Sequence, residues 1–458
     1  MRLAELEGRR VAVWGAGREG RAAWRWLRAH APGLAVAVIC PAAEVAAARE
    51  FTGEDAEIIG GDATADTLAR FEVIVKSPGI SPYREPAAAA QTAGVRFTSG
   101  TALWFAANPH ARTIAITGTK GKSSTTAMVA HLLRAAGRRV VLAGNIGLPL
   151  LEIPDQTRAD WWVLEISSFQ ACDLGGVPEI GVVLNLFPEH LDWHGGVERY
   201  YRDKLRVLGV PGTRPVASVL NAGQQWPDGA VPQSGVRWFG EPSGFHVAQG
   251  AIRRGTRFVI DAGAIPLPGL HNALNFCAAL AVLEAAGEDA LALAPKIADF
   301  HALPHRLQAL GTRDGLLWVN DSIATTPHAT LAALAHHRGP PLALIVGGHD
   351  RGVPWDAFAR TVATAPPRAI LAIGAAAPRI LEALAAIDPA RCAVEPALDL
   401  AAAVRRARAL LPSGGVVLLS PGAPSFGEFR DYEDRGRRFA ALAGFDPDHI
   451  SHIEGLGA

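Results

Sequence analysis

Ile116-Thr117-Gly118-Thr119-Lys120-Gly121-Lys122-Ser123-Ser124-Thr125-Thr126 is the stretch that decides how this chain is read. The apolar run Thr113-Ile114-Ala115-Ile116 leading into it reads as a buried strand, and Ala127 to Arg134 continues with apolar residues at helical spacing. Between the two lies a short glycine turn. Gly118 and Gly121 let the backbone turn N–H groups toward an anion, and the helix start adds positive potential. Lys122 is placed against terminal phosphates and the Ser123 hydroxyl against Mg²⁺, with Thr119, Lys120 and Ser124 completing a predicted ATP loop. The gap between the first glycine and Gly-Lys is shorter than in the common form of such a loop.

With 458 residues the chain has length for about three domains. It is 49% hydrophobic and 19% charged, as a globular enzyme is, and its 44 basic residues balance 44 acidic ones. No basic footprint points to nucleic acid, and no uncharged apolar run is long enough to span a bilayer. Cys40, Cys172, Cys277 and Cys392 lack a C-x-x-C pair and read as reduced thiols. Met1 to Gly8 is not a signal peptide, so a cytoplasmic protein is expected, and it is taken to be a monomer. One compositional fact is sharper: there are five lysines, at 76, 120, 122, 204 and 296, against 39 arginines. Where either cation serves, this chain uses arginine, so Lys76 and Lys204 stand out as sites needing an amine.

Residues 1–105 read as a Rossmann-like domain. A strand runs into Gly15-Ala16-Gly17-Arg18-Glu19-Gly20, a loop suited to a diphosphate at a helix start. A nicotinamide unit would end its second strand in an acid; here Cys40-Pro41 follows, which favours a nucleotide sugar over NAD. Val73-Ile74-Val75 then delivers Lys76 and the turn Ser77-Pro78-Gly79. Residues 106–302 read as the ATP-binding domain. Past Asn145, a strand ends at Glu165, suited to hold Mg²⁺ directly or through water, and Ser167-Ser168-Phe169-Gln170 follows. Another strand delivers Asn185, then Glu189 and His190, and Lys204 lies on a helix-like stretch. Residues 211–268 suggest β-structure, and a helix after Gly269 carries Asn275. Residues 303–458 read as a second Rossmann-like domain, with strands at 316–319, 342–346, 369–373 and 416–419 forming a doubly wound parallel sheet. Polar strand ends there carry Asp321, Gly347 to Arg351, and Ser420 to Ser425, and Arg306 is suited to pair with a phosphate.

Taken together and in this order, these motifs resemble the Mur ligases of peptidoglycan assembly over essentially the whole chain. The resemblance implies a three-domain α/β fold and, within the family, a glutamate-adding ligase acting on UDP-N-acetylmuramoyl-L-alanine. It implies that ATP phosphorylates the alanine carboxylate, and that the glutamate amine displaces phosphate from the acyl phosphate. By the same resemblance Glu165 and His190 are magnesium ligands with Ser123, two Mg²⁺ ions are used, and Lys204 is carbamoylated. Lys122, Lys204 and His190 are the catalytic set, and Asn275, Arg306 and Asp321 bind ATP. The nucleotide-sugar set is Gly15, Ala16, Gly17, Arg18, Ser77, Pro78, Gly79, Asn145, Ser168 and Gln170. The amino-acid set is Ile323, Thr325, Arg351, Ser425 and Tyr432.

The last set departs from the pattern of the D-glutamate-adding ligases, which have a lysine where Ile323 and Arg351 stand and commonly phenylalanine at Tyr432. Together with Trp14 to Gly20, Phe187 to Gly195 and Val346 to Gly352, it is similar to a branch that adds L-glutamate, with a separate epimerase acting on the product. The ordinary D-glutamate ligase is the alternative. A folylpolyglutamate-type ligase should lack the first domain; an oxidoreductase and an ATP-gated binding protein are the other readings weighed. Three separate sites serving one reaction imply domain closure.

Overall fold

Short apolar runs separated by helix-length segments are satisfied by parallel sheets covered on both faces. The computed structural model describes residues 1–450 apart from residues 55, 211, 268, 302, 338 and 449, and among these the strands form three sheets. Residues 451–458, the expected end of the last domain, lie outside the described residues.

The first sheet contains β1 (Val11–Trp14), β2 (Val36–Cys40), β3 (Ile58–Gly60), β4 (Val73–Lys76) and β5 (Arg96–Thr98), all parallel, in the order β3-β2-β1-β4-β5. The chain reverses its winding between β1 and β4, so their carboxyl ends frame a crevice. The glycine loop after β1 and the Ser77 turn after β4 sit there.

The second sheet contains β6 (Thr113–Thr117), β7 (Val140–Gly144), β8 (Trp161–Glu165), β9 (Ile180–Val183), β10 (Ala217–Asn221), β11 (Val236–Phe239), β12 (Phe245–Ala248), β13 (Ala251–Arg254) and β14 (Arg257–Asp261). Its order is β14-β13-β12-β11-β10-β9-β6-β8-β7. β6 lies between β8 and β9, both parallel to it, which brings the phosphate loop, Glu165 and Asn185 to one edge. β12, β13 and β14 form an antiparallel extension, the β-structure expected from residues 211–268.

One apolar core joins these two sheets. It runs from Val11, Val13 and Val75 through Leu103 and Trp104 of the helix Gly100–Ala107 to Ala115, Trp162 and Leu164. The rings of Trp104 and Trp162 lie 4.9 Å apart. Gly175 lets that helix approach, since a Cβ there would stand 2.6 Å from the Ala102 Cβ. Residues Met1–Phe300 accordingly form one compact unit and the chain from His301 onward a second.

The second unit holds β15 (Gln308–Arg313), β16 (Leu316–Asn320), β17 (Leu342–Gly347), β18 (Ala369–Ile373), β19 (Ala393–Pro396) and β20 (Gly415–Leu419), ordered β15-β16-β20-β17-β18-β19. Two edge strands were not expected. β15 is antiparallel to β16, so the sheet is mixed rather than wholly parallel, and β19 is short and half-exposed. Edge strands lack the continuous apolar run that marks a strand buried on both faces.

Candidate active site

The phosphate loop is held by its neighbours rather than by its own sequence. Gly118 and Gly121 have φ of +156° and +87°, and a Cβ on Gly121 would lie 2.5 Å from Asn275 Oδ1 on the helix Leu270–Ala285. Asn185 braces the turn twice: Lys120 N donates to its Oδ1 at 2.8 Å, and its Nδ2 donates to Lys120 O at 3.0 Å. The Thr119 hydroxyl donates to Phe187 O and accepts from Phe187 N. Its single proton is then committed, so the 2.8 Å bond to Tyr200 is donated by the tyrosine. Lys122 Nζ folds back onto Gly118 O and Thr119 O, each at 3.1 Å. Ser123 is half-buried and Ser124 is buried at the first turn of the helix Lys122–Ala135, the positive end of its dipole.

Glu165 ends β8 with 1% of its surface exposed. Its Oε1 accepts from Asn145 Nδ2 at 2.6 Å, while its Oε2 is buried and has no hydrogen-bond partner. His190 has φ of +54°, and its ring lies 4.9 Å from that of Phe169. Burial lowers its pKa against the pull of Glu189, which leaves a neutral imidazole able to act as a ligand. Lys204, on the helix Val197–Leu205, is 2% exposed and donates to Gly118 O at 2.7 Å. Burial, and secondarily the charge of Lys122, holds its pKa well below the usual lysine value, favouring the free amine. Among the described residues no three His, Cys, Asp or Glu side chains cluster as a metal site. A cation here would draw on the free Glu165 oxygen and His190, and on substrate oxygens for the rest. The orphaned Glu165 Oε2 and the neutral His190 fit that role.

Most of the residues expected to hold the nucleotide sugar meet in a cleft of about 420 Å³ between the first two sheets. Gly17, Arg18, Ser77, Pro78, Gly79, Asn145 and Gln170 line it; Gly15, Ala16 and Ser168 do not. Gly15 and Gly20 make the loop possible, since a Cβ on Gly20 would lie 1.8 Å from Gly15 O. Ser77 Oγ is buried there without a partner, and the Arg18 guanidinium donates to Gly147 O. Gln170 N–H donates to Ser167 Oγ in a helix-capping pair, and its side-chain amide donates to Glu19 at 3.3 Å. Glu19 and Phe169 also line the cleft and were missed, because an acid in a helix's first turn reads as a dipole partner. Burial pushes Glu19 up to about 7. Asn145 serves both places, bonding Glu165 and lining the cleft. Larger cavities, about 1000 Å³ behind the Val197–Leu205 helix and about 670 Å³ under β1 and β2, contain none of the expected site residues.

In the second unit, β16, β20 and β17 are neighbours and bring their carboxyl ends together. Asp321 is buried; Ser420 Oγ donates to its Oδ2 at 2.7 Å and Leu307 N to its Oδ1 at 3.1 Å, and burial raises it to about 6. Arg306 precedes Leu307 and its charge acts on Asp321. Ile323, Thr325 and Tyr432 are half-buried, Ser425 is buried and Arg351 is exposed. Arg435, which sequence reading missed, is fully buried and ties the strand ends together through Ser322 O at 2.8 Å and Ala423 O at 3.1 Å.

A strand, a glycine turn closed by distant braces, and a lysine at a helix start define a phosphate-binding α/β protein with an adjoining cleft. Residues 116–283 match the Mur ligase middle domain, and residues 305–422 the Mur ligase glutamate ligase domain. Over the full length of both chains, the protein is 52% identical to the UDP-N-acetylmuramoyl-L-alanine--L-glutamate ligase of Xanthomonas axonopodis pv. citri (strain 306) and 51% identical to that of Xylella fastidiosa (strain 9a5c). It also aligns with UDP-N-acetylmuramate-alanine ligase of Thermotoga maritima over 95% of this chain and 99% of that one, with a TM-score of 0.59 at 16% identity. That likeness speaks for the fold. The chain belongs to the Mur ligase family.

Proposed function

We propose that this protein joins L-glutamate to UDP-N-acetylmuramoyl-L-alanine with ATP, through an acyl phosphate, releasing ADP and phosphate. The observation that carries this is Asn145, which bonds the buried Glu165 beside the phosphate loop and also lines the nucleotide-sugar cleft. A carboxylate to be activated and the phosphate that activates it must meet, and Asn145 stands where the two sites join.

In this reading residues 1–105 seat the nucleotide sugar, residues 106–302 seat ATP, and residues 303–458 seat glutamate. Arg18, Ser77 and the glycine loop hold the diphosphate. Lys122 exchanges its carbonyl partners for the terminal phosphate, and the start of its helix stabilises charge on the transferring group. Asn275, Arg306 and Asp321 hold ATP. Mg²⁺, two ions in the full complex, would be held by Glu165, His190 and Ser123 and would supply charge neutralisation at the phosphate oxygens. Lys204, whose free amine is favoured by burial, would take up CO₂ at its nitrogen and lose a proton, and the carbamate oxygen so formed would complete the ligand set. Thr325, Ser425, Arg351 and Tyr432 hold the glutamate carboxylates, and Ile323 leaves apolar surface where a cation would favour the other enantiomer. The protein acts as a cytoplasmic monomer and passes its product to an epimerase.

Phosphate release tests this reading. It should require ATP, Mg²⁺, the nucleotide sugar and glutamate together; release that is unchanged when the nucleotide sugar is left out would contradict it.

A further inference from the structure

The turn that lines the nucleotide-sugar cleft is tied to the helix that follows His190 and to the helix that carries Lys204. Beyond Ser77-Pro78-Gly79 the chain runs directly into three hydrogen bonds with the second sheet's domain. Trp193 Nε1 donates to Gly79 O at 2.9 Å, Ser81 Oγ donates to Trp193 O at 2.6 Å, and Tyr83 OH donates to Asp203 Oδ1 at 2.8 Å. Trp193 lies on the short helix Leu191–His194, directly after His190, and Asp203 precedes Lys204. The other Asp203 oxygen accepts from His194 Nδ1 at 2.7 Å, so one buried carboxylate links both helices to Tyr83.

Aromatic packing runs along the same line. The Trp193 ring stacks on Phe169 at 4.6 Å, and Phe169 both lines the cleft and packs on His190. Tyr83 meets Trp193 edge-on at 5.9 Å. Lys76, at the start of the turn, is 1% exposed, lies 5.5 Å over the Trp193 ring, and pairs with Asp173 at 2.5 Å without hydrogen-bond alignment. The scarce lysine that sequence reading singled out is therefore an anchor of this strap.

We propose that Trp193 and Tyr83 are positioning residues that couple the nucleotide-sugar cleft to His190 and Lys204, so that filling either site favours filling the other. This rests on the ligase reading above. A shift of the Ser77–Gly79 turn on binding is carried to Trp193 and Asp203 through direct bonds, and coupling between two sites is reciprocal.

The test is calorimetric binding of UDP-N-acetylmuramoyl-L-alanine with and without a non-hydrolysable ATP analogue and Mg²⁺. In the unaltered protein the analogue should tighten nucleotide-sugar binding by about fivefold or more. Trp193→Phe keeps the stack but removes the bond to Gly79, and Tyr83→Phe removes the bond to Asp203 together with the 3.2 Å contact to Cys172 Sγ. Each should bind either ligand alone yet bring that ratio close to one. Ser81→Ala, which removes the bond to Trp193 O and the one that Ser81 Oγ accepts from Tyr83 N, serves if Trp193→Phe does not fold. An unaltered protein whose ratio is one, or variants that keep the full ratio, would overturn the coupling. Failure of the unaltered protein to bind either ligand would instead count against the ligase reading itself.

Discussion

Replacing Glu165 by glutamine should move stability and activity in opposite directions. The carboxylate is 1% exposed, with one oxygen bonded to Asn145 and the other buried without a partner. Glutamine has the same shape and keeps the Asn145 bond, but as a neutral one, which costs about 1 kcal/mol. Against this, removing a buried negative charge relieves a desolvation cost of several kcal/mol, part of which is given back by the unpaired amide N–H groups that take the place of its unpaired oxygen. The net is a gain of about 1–2 kcal/mol, or about 2–4 °C in melting temperature for each kcal/mol. The assay is thermal unfolding in chelator, then with Mg²⁺ and ATP. Metal-free Glu165→Gln should melt at or above the unaltered protein, lose the increment that Mg²⁺ and ATP confer together, and turn over at least about 100-fold more slowly. A variant several degrees less stable that keeps its Mg²⁺ increment would refute the reasoning and make Glu165 a structural residue.

Gly121→Ala forces a side chain into a left-handed conformation and onto Asn275 Oδ1, so ATP binding should be lost while nucleotide-sugar binding remains, as separate titrations of the two ligands would show. Asn185→Ala removes both braces of the Thr119–Lys120 turn, and the KM for ATP should rise about tenfold with little change in the KM for glutamate. Two buried groups of the second unit oppose each other in pH. Asp321, raised to about 6, contributes stability that is lost as pH rises toward 6, whereas His305, lowered to about 4, contributes stability that is lost as pH falls toward 4. Denaturant unfolding of Asp321→Asn should therefore gain stability with pH between about 4 and 6 more steeply than the unaltered protein; an unchanged slope would contradict this. Ile323→Lys should lower the preference for L- over D-glutamate by about tenfold or more in paired kinetics, because a cation there offers the carboxylate a second position.

What the sequence shows plainly is whatever a sheet's interior imposes. β6, β8, β16, β17 and β18 are buried along almost their whole length and appear as apolar runs, and the polar residues that end β6, β8, β16 and β17 are the ones expected at the site. Scarcity also carried information: Lys76 and Lys204 are 1% and 2% exposed, whereas the Lys120 side chain is two-thirds exposed and pairs with Glu189. The residues that escaped notice act across long stretches of chain. Tyr83 finds Asp203 and Arg435 finds Ser322 more than a hundred residues away, and nothing local marks either. Asn185 was legible as a strand end but not as the brace of the loop, since its partners are decided by which strands lie side by side.

By the proposal above, this protein makes one particular amide bond. Purified protein would be incubated with ATP, Mg²⁺ and UDP-N-acetylmuramoyl-L-alanine, given L- or D-glutamate in separate reactions, and its product identified by mass and chiral analysis. Product should form with L-glutamate and essentially none with D-glutamate. Product with D-glutamate alone would contradict the enantiomer assignment, and no product with either would contradict the acceptor as well.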